Sequence, residues 1–184
     1  MPKDQPFEPD GLSTETVFEG RVWDVVRDTF DYANQSLVRD YIKHPGAVAI
    51  LAVNEANQVL MIRQYRHPVR KYLWEIPAGL LDVKGESHLD AAKRELLEET
   101  NYVAHKWSLL QTFHASPGGN SEQIDIFLAE DLAIGARDFE LEGEEVDMEV
   151  AWIDFDEALA SVMNSEIQSP IAVIAILRLA ATRR

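Results

Sequence analysis

The stretch Glu86–Thr100, "ESHLDAAKRELLEET", decides how the rest of the chain is read. Its apolar positions Leu89, Ala92 and Leu96 recur at helical spacing and form one arc that can dock on a core. On the same period Glu95, Glu98 and Glu99 stand at i, i+3 and i+4, so three carboxylates crowd one face of the helix. Like charges so close repel. A plain solvated acidic face is one reading; a bound divalent cation is the other, because it cancels that repulsion. Clustered carboxylate oxygens are hard ligands, suited to Mg²⁺ or Mn²⁺ and not to zinc. Arg94 precedes Glu98 by four residues and adjoins Glu95, a position from which a guanidinium can orient a carboxylate.

Outward from the helix, "PAGLLDVKGES" places Gly79 and Gly85 on either side of a short acidic loop. Backbone can therefore pass close to whatever the carboxylates hold, and a carbonyl there can add a ligand. Upstream, "GAVAILAV", "QVLMIRQYR" and "YLWEIPAGL" are apolar runs divided by polar turns and read as strands. Downstream, "WSLLQTFHA", "QIDIFLAED" and "VDMEVAWIDF" read as further strands. Helices are expected over 156–164 and 170–182, the second with Ser169 as N-cap and Pro170 at its first position. Strands on both sides of one inserted helix predict a mixed α/β sandwich rather than a doubly wound sheet. At the start, a tail of about a dozen residues is expected. "TVFEGRVWDVVRDTFDY" and "SLVRDYIKH" then read as strands around a turn at Ala33 and Asn34. This tail and β unit, residues 1–43, is too small to stand alone; residues 44–184 form the main domain.

Charge narrows the function. Thirty-two acidic against 17 basic residues give a formal charge of -15, which argues against a nucleic-acid partner, since phosphate neutralisation needs a broad basic surface. An anionic substrate must be met locally, by a metal or a few placed arginines. The run Arg63, Arg66, His67, Arg70 and Lys71, just ahead of the acidic loop, supplies such cations. With no cysteine, the chain has no disulfides and no thiolate chemistry, in keeping with a reducing cytosol. The polar start "MPKDQPFEPDGLSTE" lacks a signal-peptide core, and "PIAVIAILRLAA" is too short to span a bilayer. A soluble cytoplasmic protein without a membrane partner is expected.

Residues Gly79–Tyr102 resemble the Nudix box, G-x5-E-x7-R-E-U-x-E-E-x-G-U, through Glu86, Arg94, Glu95, Leu96, Glu98 and Glu99. The gap from Gly79 to Glu86 is one residue longer than the pattern, in a loop where insertion is tolerable. Asn101 replaces the final glycine and is the next best residue for a left-handed helix C-cap. "RQYRHPV", "WEIPAG" and "ASPGGNSE" (Ala115–Glu122), with Pro117 shortly after the box, are similar to the ADP-ribose pyrophosphatase branch. The likeness extends from Val17 onward.

That resemblance implies a Nudix α/β/α sandwich with a mixed sheet, a small N-terminal antiparallel β unit, and hydrolysis of ADP-ribose to AMP and ribose 5-phosphate. It implies Mg²⁺, or Mn²⁺, held by Glu95, Glu98 and Glu99 with help from Glu86 and the Ala78 carbonyl, and it places Arg94 and Glu98 in the catalytic set. A carboxylate outside the box is implied to deprotonate the attacking water; in "ELEGEEVDME" Glu144 is preferred over Glu145. Arg66 is expected to clamp the diphosphate, and Ser116, Gly118 and Glu122 to contact substrate. Trp23, with Arg39 in the paired strand, is expected to face adenine, since a flat base needs a flat partner. Branch members act as homodimers whose N-terminal unit reaches the partner's active site, which would give the β unit its purpose. The box reads only the diphosphate, so a nucleotide-sugar or dinucleotide hydrolase stays open. A non-catalytic nucleotide sensor is the remaining alternative, disfavoured because every box carboxylate is present.

Overall fold

The computed structural model describes residues 1–136 and 147–183, so Glu144 and Glu145 lie outside the described residues. The chain divides into two compact units, Met1–Pro45 with His114–Glu122, and Gly46–Phe113 with the described part of Gln123–Arg184.

In the first unit, β1 (Asp10–Phe18), β2 (Asp24–Tyr32) and β3 (Gln35–Lys43) form an antiparallel sheet in that order. Ala33 and Asn34 have φ of 49° and 62° and join Tyr32 to its partner Gln35. Two left-handed residues match the twist of a two-residue hairpin, so the expected turn forms where the sequence places it. The run from Thr16 to Tyr32 is two strands rather than one. Gly20 turns the chain there: a Cβ on it would overlap the Trp23 carbonyl, and its N–H donates to Asp24 Oδ1 at 3.2 Å. Pairing reaches back to Asp10, which shortens the expected tail. The loop Ala115–Glu122 fastens to the end of β3, with Ile42 N–H donating to the Gly119 carbonyl and Ser121 N–H to the Ile42 carbonyl, each at 3.0 Å.

The second unit is mixed α/β. One sheet has the order β10 (Glu149–Asp154), β5 (Gln58–Arg66), β6 (Lys71–Glu75); the other has β7 (Ala78–Leu80), β4 (Ala47–Ala52), β9 (Gln123–Ile134), β8 (Tyr102–His114). All six residues of β4 are buried, the mark of a strand covered on both faces. Its Val48, Ile50 and Ala52 pack with Ala91, Ala92 and Leu96 of α1 (His88–Thr100), and α3 (Pro170–Thr182) also packs on β4. β4 and β9 run parallel, which requires a long crossover, and α1 lies within it. The expected run "YLWEIPAGL" divides into β6 and β7 at Ile76–Pro77, because proline ends the ladder. α2 spans Phe155–Met163. α3 begins with Pro170 as expected, though Ser169 caps it by position, without a side-chain hydrogen bond. No helix among the described residues is long and apolar enough to cross a membrane.

Candidate active site

Helix α1 is fixed at both ends by local chemistry. Ser87 Oγ accepts from Asp90 N–H at 3.1 Å and caps the N-terminus. At the other end Asn101 adopts φ 60° and its N–H donates to the Leu97 carbonyl, so the substitution of the box's last glycine leaves the left-handed cap intact. Between these caps the acidic arc lies along a cleft of about 320 Å³ that is also lined by Gln64, Arg66, Asp82, Arg94 and the Ala78–Leu80 backbone.

Arg94 organises the carboxylates. Its Nε and Nη2 donate to the two oxygens of Glu86, both at 3.0 Å, while Nη1 donates to Glu95 at 2.6 Å and Glu98 at 3.0 Å. The side chains of Glu86 and Glu95 are 16% and 13% exposed, so these contacts are shielded from bulk water. The hydrogen bonds from Arg94 hold the Glu86 carboxyl below the usual glutamate range against the opposing effect of desolvation. The guanidinium is raised in turn, first by hydrogen bonding to Glu86, and further by Glu95 and Glu98. Glu99 is 7% exposed, and the Ala78 N–H donates to its Oε2 at 2.9 Å. A Cβ on Gly79 would overlap the Glu95 carboxylate as it stands and force that side chain to move.

In the same cleft Arg66 reaches Glu75 with two parallel hydrogen bonds, Nε to Oε1 at 3.0 Å and Nη2 to Oε2 at 2.8 Å. The Glu75 side chain is only 5% exposed, whereas Arg66 is 41% exposed toward the cleft. A guanidinium so braced is fixed in orientation.

The NUDIX domain profile matches residues 43–172, well over half of the chain. The chain belongs to the Nudix family. Among curated relatives it is 39% identical to an ADP-ribose pyrophosphatase of Mycobacterium tuberculosis, over 90% of this chain and 80% of that protein. It is 36% identical to an ADP-ribose pyrophosphatase of Bacillus subtilis, over 92% and 91%. A Bacillus methanolicus protein named methanol dehydrogenase activator matches at the same 36%, over 92% and 91%. The crystal structure of an ADP compounds hydrolase superposes with a TM-score of 0.79 over 97% of this chain and 96% of its own, at 20% identity, and so shares the fold.

The Nudix box residues Glu86, Arg94, Glu95, Glu98 and Glu99 are thus brought together, with Ala78 and Arg66 beside them. Of the basic run, Arg66 alone lines the cleft. Arg63 pairs with Glu149 at 3.3 Å, Lys71 donates to Gln168 at 2.9 Å, and Arg70 holds a tight turn with φ 54°. The other expected residues belong to the first unit. Arg39 and Gly118 line a separate cleft of about 520 Å³ with Pro117 and Asn120. The Ser116 carbonyl accepts from the N–H groups of Gly119 and Asn120 at 3.1 and 3.0 Å. Trp23 is 44% exposed, with its ring 5.6 Å from that of His44. Glu122 lies 3.6 Å from His44 Nε2.

Sequence reasoning missed Gln64 and Asp82 as cleft residues and Glu75 as the brace of Arg66. A signal for Glu75 was present: a carboxylate inside the apolar run "YLWEIP" needs a cation once buried. Gln64 precedes Arg66 by two and shares its strand face.

Proposed function

We propose that the chain is a divalent-cation-dependent pyrophosphohydrolase that splits the diphosphate of ADP-ribose into AMP and ribose 5-phosphate. The observation that carries this reading is the single cleft faced by Glu95, Glu98, Glu99, the Ala78–Leu80 backbone and Arg66. The ADP-ribose pyrophosphatases at 36% and 39% identity over most of the chain support the substrate.

Among the described residues no three acidic or histidine side chains already stand as a metal's ligand set, and Arg94 Nη1 donates to both Glu95 and Glu98. The donor chemistry nevertheless fits a hard cation: every candidate atom is an oxygen, the arc opens to the cleft, and Gly79 leaves Glu95 unobstructed. Glu95, Glu98 and Glu99 would hold Mg²⁺ or Mn²⁺, assisted by the Ala78 carbonyl. Such a cation, when bound, supplies Lewis-acid polarisation of the diphosphate and neutralises the leaving phosphate. Glu86 is engaged by both prongs of Arg94, so its part is to hold that arginine and, through it, the orientation of Glu95 and Glu98. Arg66, braced by Glu75, clamps diphosphate oxygens. Glu144, ahead of Glu145, takes the proton of the attacking water. Trp23 offers adenine a stacking surface, with Arg39, Ser116 and Gly118 around the rest of the substrate. The reading includes a cytoplasmic homodimer, in which the N-terminal sheet serves the partner's site; β1 is exposed along all nine residues.

Testing requires a panel of ADP-ribose, nucleotide sugars and dinucleotides, assayed with Mg²⁺ and product identification. ADP-ribose should be preferred, with AMP and ribose 5-phosphate formed in equal amounts. Preference for a nucleotide sugar or dinucleotide would replace the substrate, and binding without turnover would favour a nucleotide sensor.

A further inference from the structure

The first unit contains an arrangement that the box does not explain. The Trp23 ring meets that of His44 at 5.6 Å between centroids, tilted by 39°, while 44% of the residue is exposed. His44 itself has a side chain only 6% exposed. Behind it, Glu122 Oε1 lies 3.6 Å from Nε2, and the His44 backbone N–H donates to Ser121 Oγ at 2.9 Å. Glu122 is held in place as well, its N–H donating to Asn120 Oδ1 at 2.9 Å. An exposed indole supported by a buried imidazole, which is itself fastened to a loop by two neighbouring residues, is more than casual strand packing.

We propose that His44 is a positioning residue for base selection. It supports the indole of Trp23 from behind, and the loop ending in Ser121 and Glu122 fixes His44, so that Glu122 acts through His44 rather than by touching substrate. The ligand class is a purine base of a nucleoside diphosphate, and the proposal rests on the reading of Trp23 as the adenine surface. Stacking is only as strong as the platform is still: an aromatic ring free to swing loses rotamer entropy on binding, and one held from behind has already lost it. The site needs no charge to read the base, which suits a face lying within so acidic a chain.

The experiment compares kcat and KM for ADP-ribose and for a pyrimidine nucleoside diphosphate ribose, with Tm, in the full chain and its variants. Trp23→Ala should raise KM for ADP-ribose ~10-fold and flatten base preference with kcat retained. His44→Ala should raise the same KM by about threefold, and His44→Phe, which keeps an aromatic support, should restore it. Glu122→Gln should give a smaller rise, and should add nothing to Trp23→Ala. If His44→Ala does not fold, His44→Phe and Glu122→Gln carry the test. A KM raised by Trp23→Ala but unmoved by His44→Ala or Glu122→Gln overturns the support while leaving the platform. A Glu122→Gln effect that adds in full to Trp23→Ala places Glu122 on the substrate and also overturns it. Unchanged KM in Trp23→Ala overturns the platform itself and the support with it.

Discussion

Arg94 and Arg27 each hold a carboxylate with two parallel hydrogen bonds, and the difference between them separates a site from a surface. Arg27 donates to the oxygens of Asp40 across β2 and β3 at 2.7 and 2.9 Å, with Glu15 a further 3.6 Å contact. Its side chain is 43% exposed and those of its partners 49% and 65%. Arg94 holds Glu86 in the same two-pronged way, but also gathers Glu95 and Glu98 and is 28% exposed. Water screens the first network, which therefore contributes little beyond strand register. The second concentrates three carboxylates around one guanidinium at the edge of a cleft. Charge pattern alone does not mark function in this chain; convergence and shielding do.

The largest effect expected is at Glu99. Glu99→Gln keeps the acceptor for the Ala78 N–H and removes one charge, so turnover should fall at least ~100-fold, a loss of about 3 kcal/mol of transition-state stabilisation, with folding retained. Steady-state kinetics at limiting Mg²⁺ measure it, and near-normal turnover would reduce the cleft to another acidic surface. Next comes Arg66. Arg66→Ala should raise KM for ADP-ribose ~10-fold with little change in Tm, and Arg66→Lys should recover only part, because a point charge does not reproduce a planar fork. Kinetics unchanged from the parent in both variants would make Arg66 a strand-edge cation like Arg63.

A pH comparison sharpens the contrast further. Glu86 titrates below its ordinary value of 4.5 in the folded state because Arg94 donates to it. Its contribution to stability is therefore complete above the ordinary glutamate range and disappears as pH falls through the lowered folded value. Glu86→Gln should accordingly show a lower Tm than the parent at neutral pH, and the two should converge as pH falls below the ordinary glutamate range. A gap that stays constant with pH would mean that the pairing has no electrostatic part. The smallest effect is expected at the exposed network: Arg27→Ala should leave Tm and turnover unchanged within error by calorimetry and assay. A clear loss there would break the distinction between the two arginines.

Much of the cleft was legible because helical spacing is rigid. Glu95, Glu98 and Glu99 share a face by period alone, and Arg94 meets Glu98 one turn on at 3.0 Å. Asn101 was legible too, since few residues other than glycine accept a left-handed cap. Contacts that depend on strand register were not. Glu75 pairs opposite Ile62, and Arg66 opposite Lys71, so their meeting requires Arg66 to fold back along β5, which no local pattern encodes. The break at Gly20 was hidden for a similar reason: the apolar and aromatic residues on both sides favour strand, and only the close approach of the Trp23 carbonyl shows why the chain turns. His44 ends a strand run in sequence and gains meaning only from the loop that arrives 77 residues later.

The central claim is that the box carboxylates of α1 make a cation-dependent, diphosphate-splitting site. Phosphorus NMR of the protein with ADP-ribose, first in chelator and then during Mg²⁺ addition, tests it most directly. The diphosphate signals should persist in chelator and, once Mg²⁺ is supplied, give way to the two monophosphate signals of AMP and ribose 5-phosphate in equal amounts. Hydrolysis that continues undiminished in chelator, or diphosphate signals that persist with Mg²⁺ in excess, would contradict the claim.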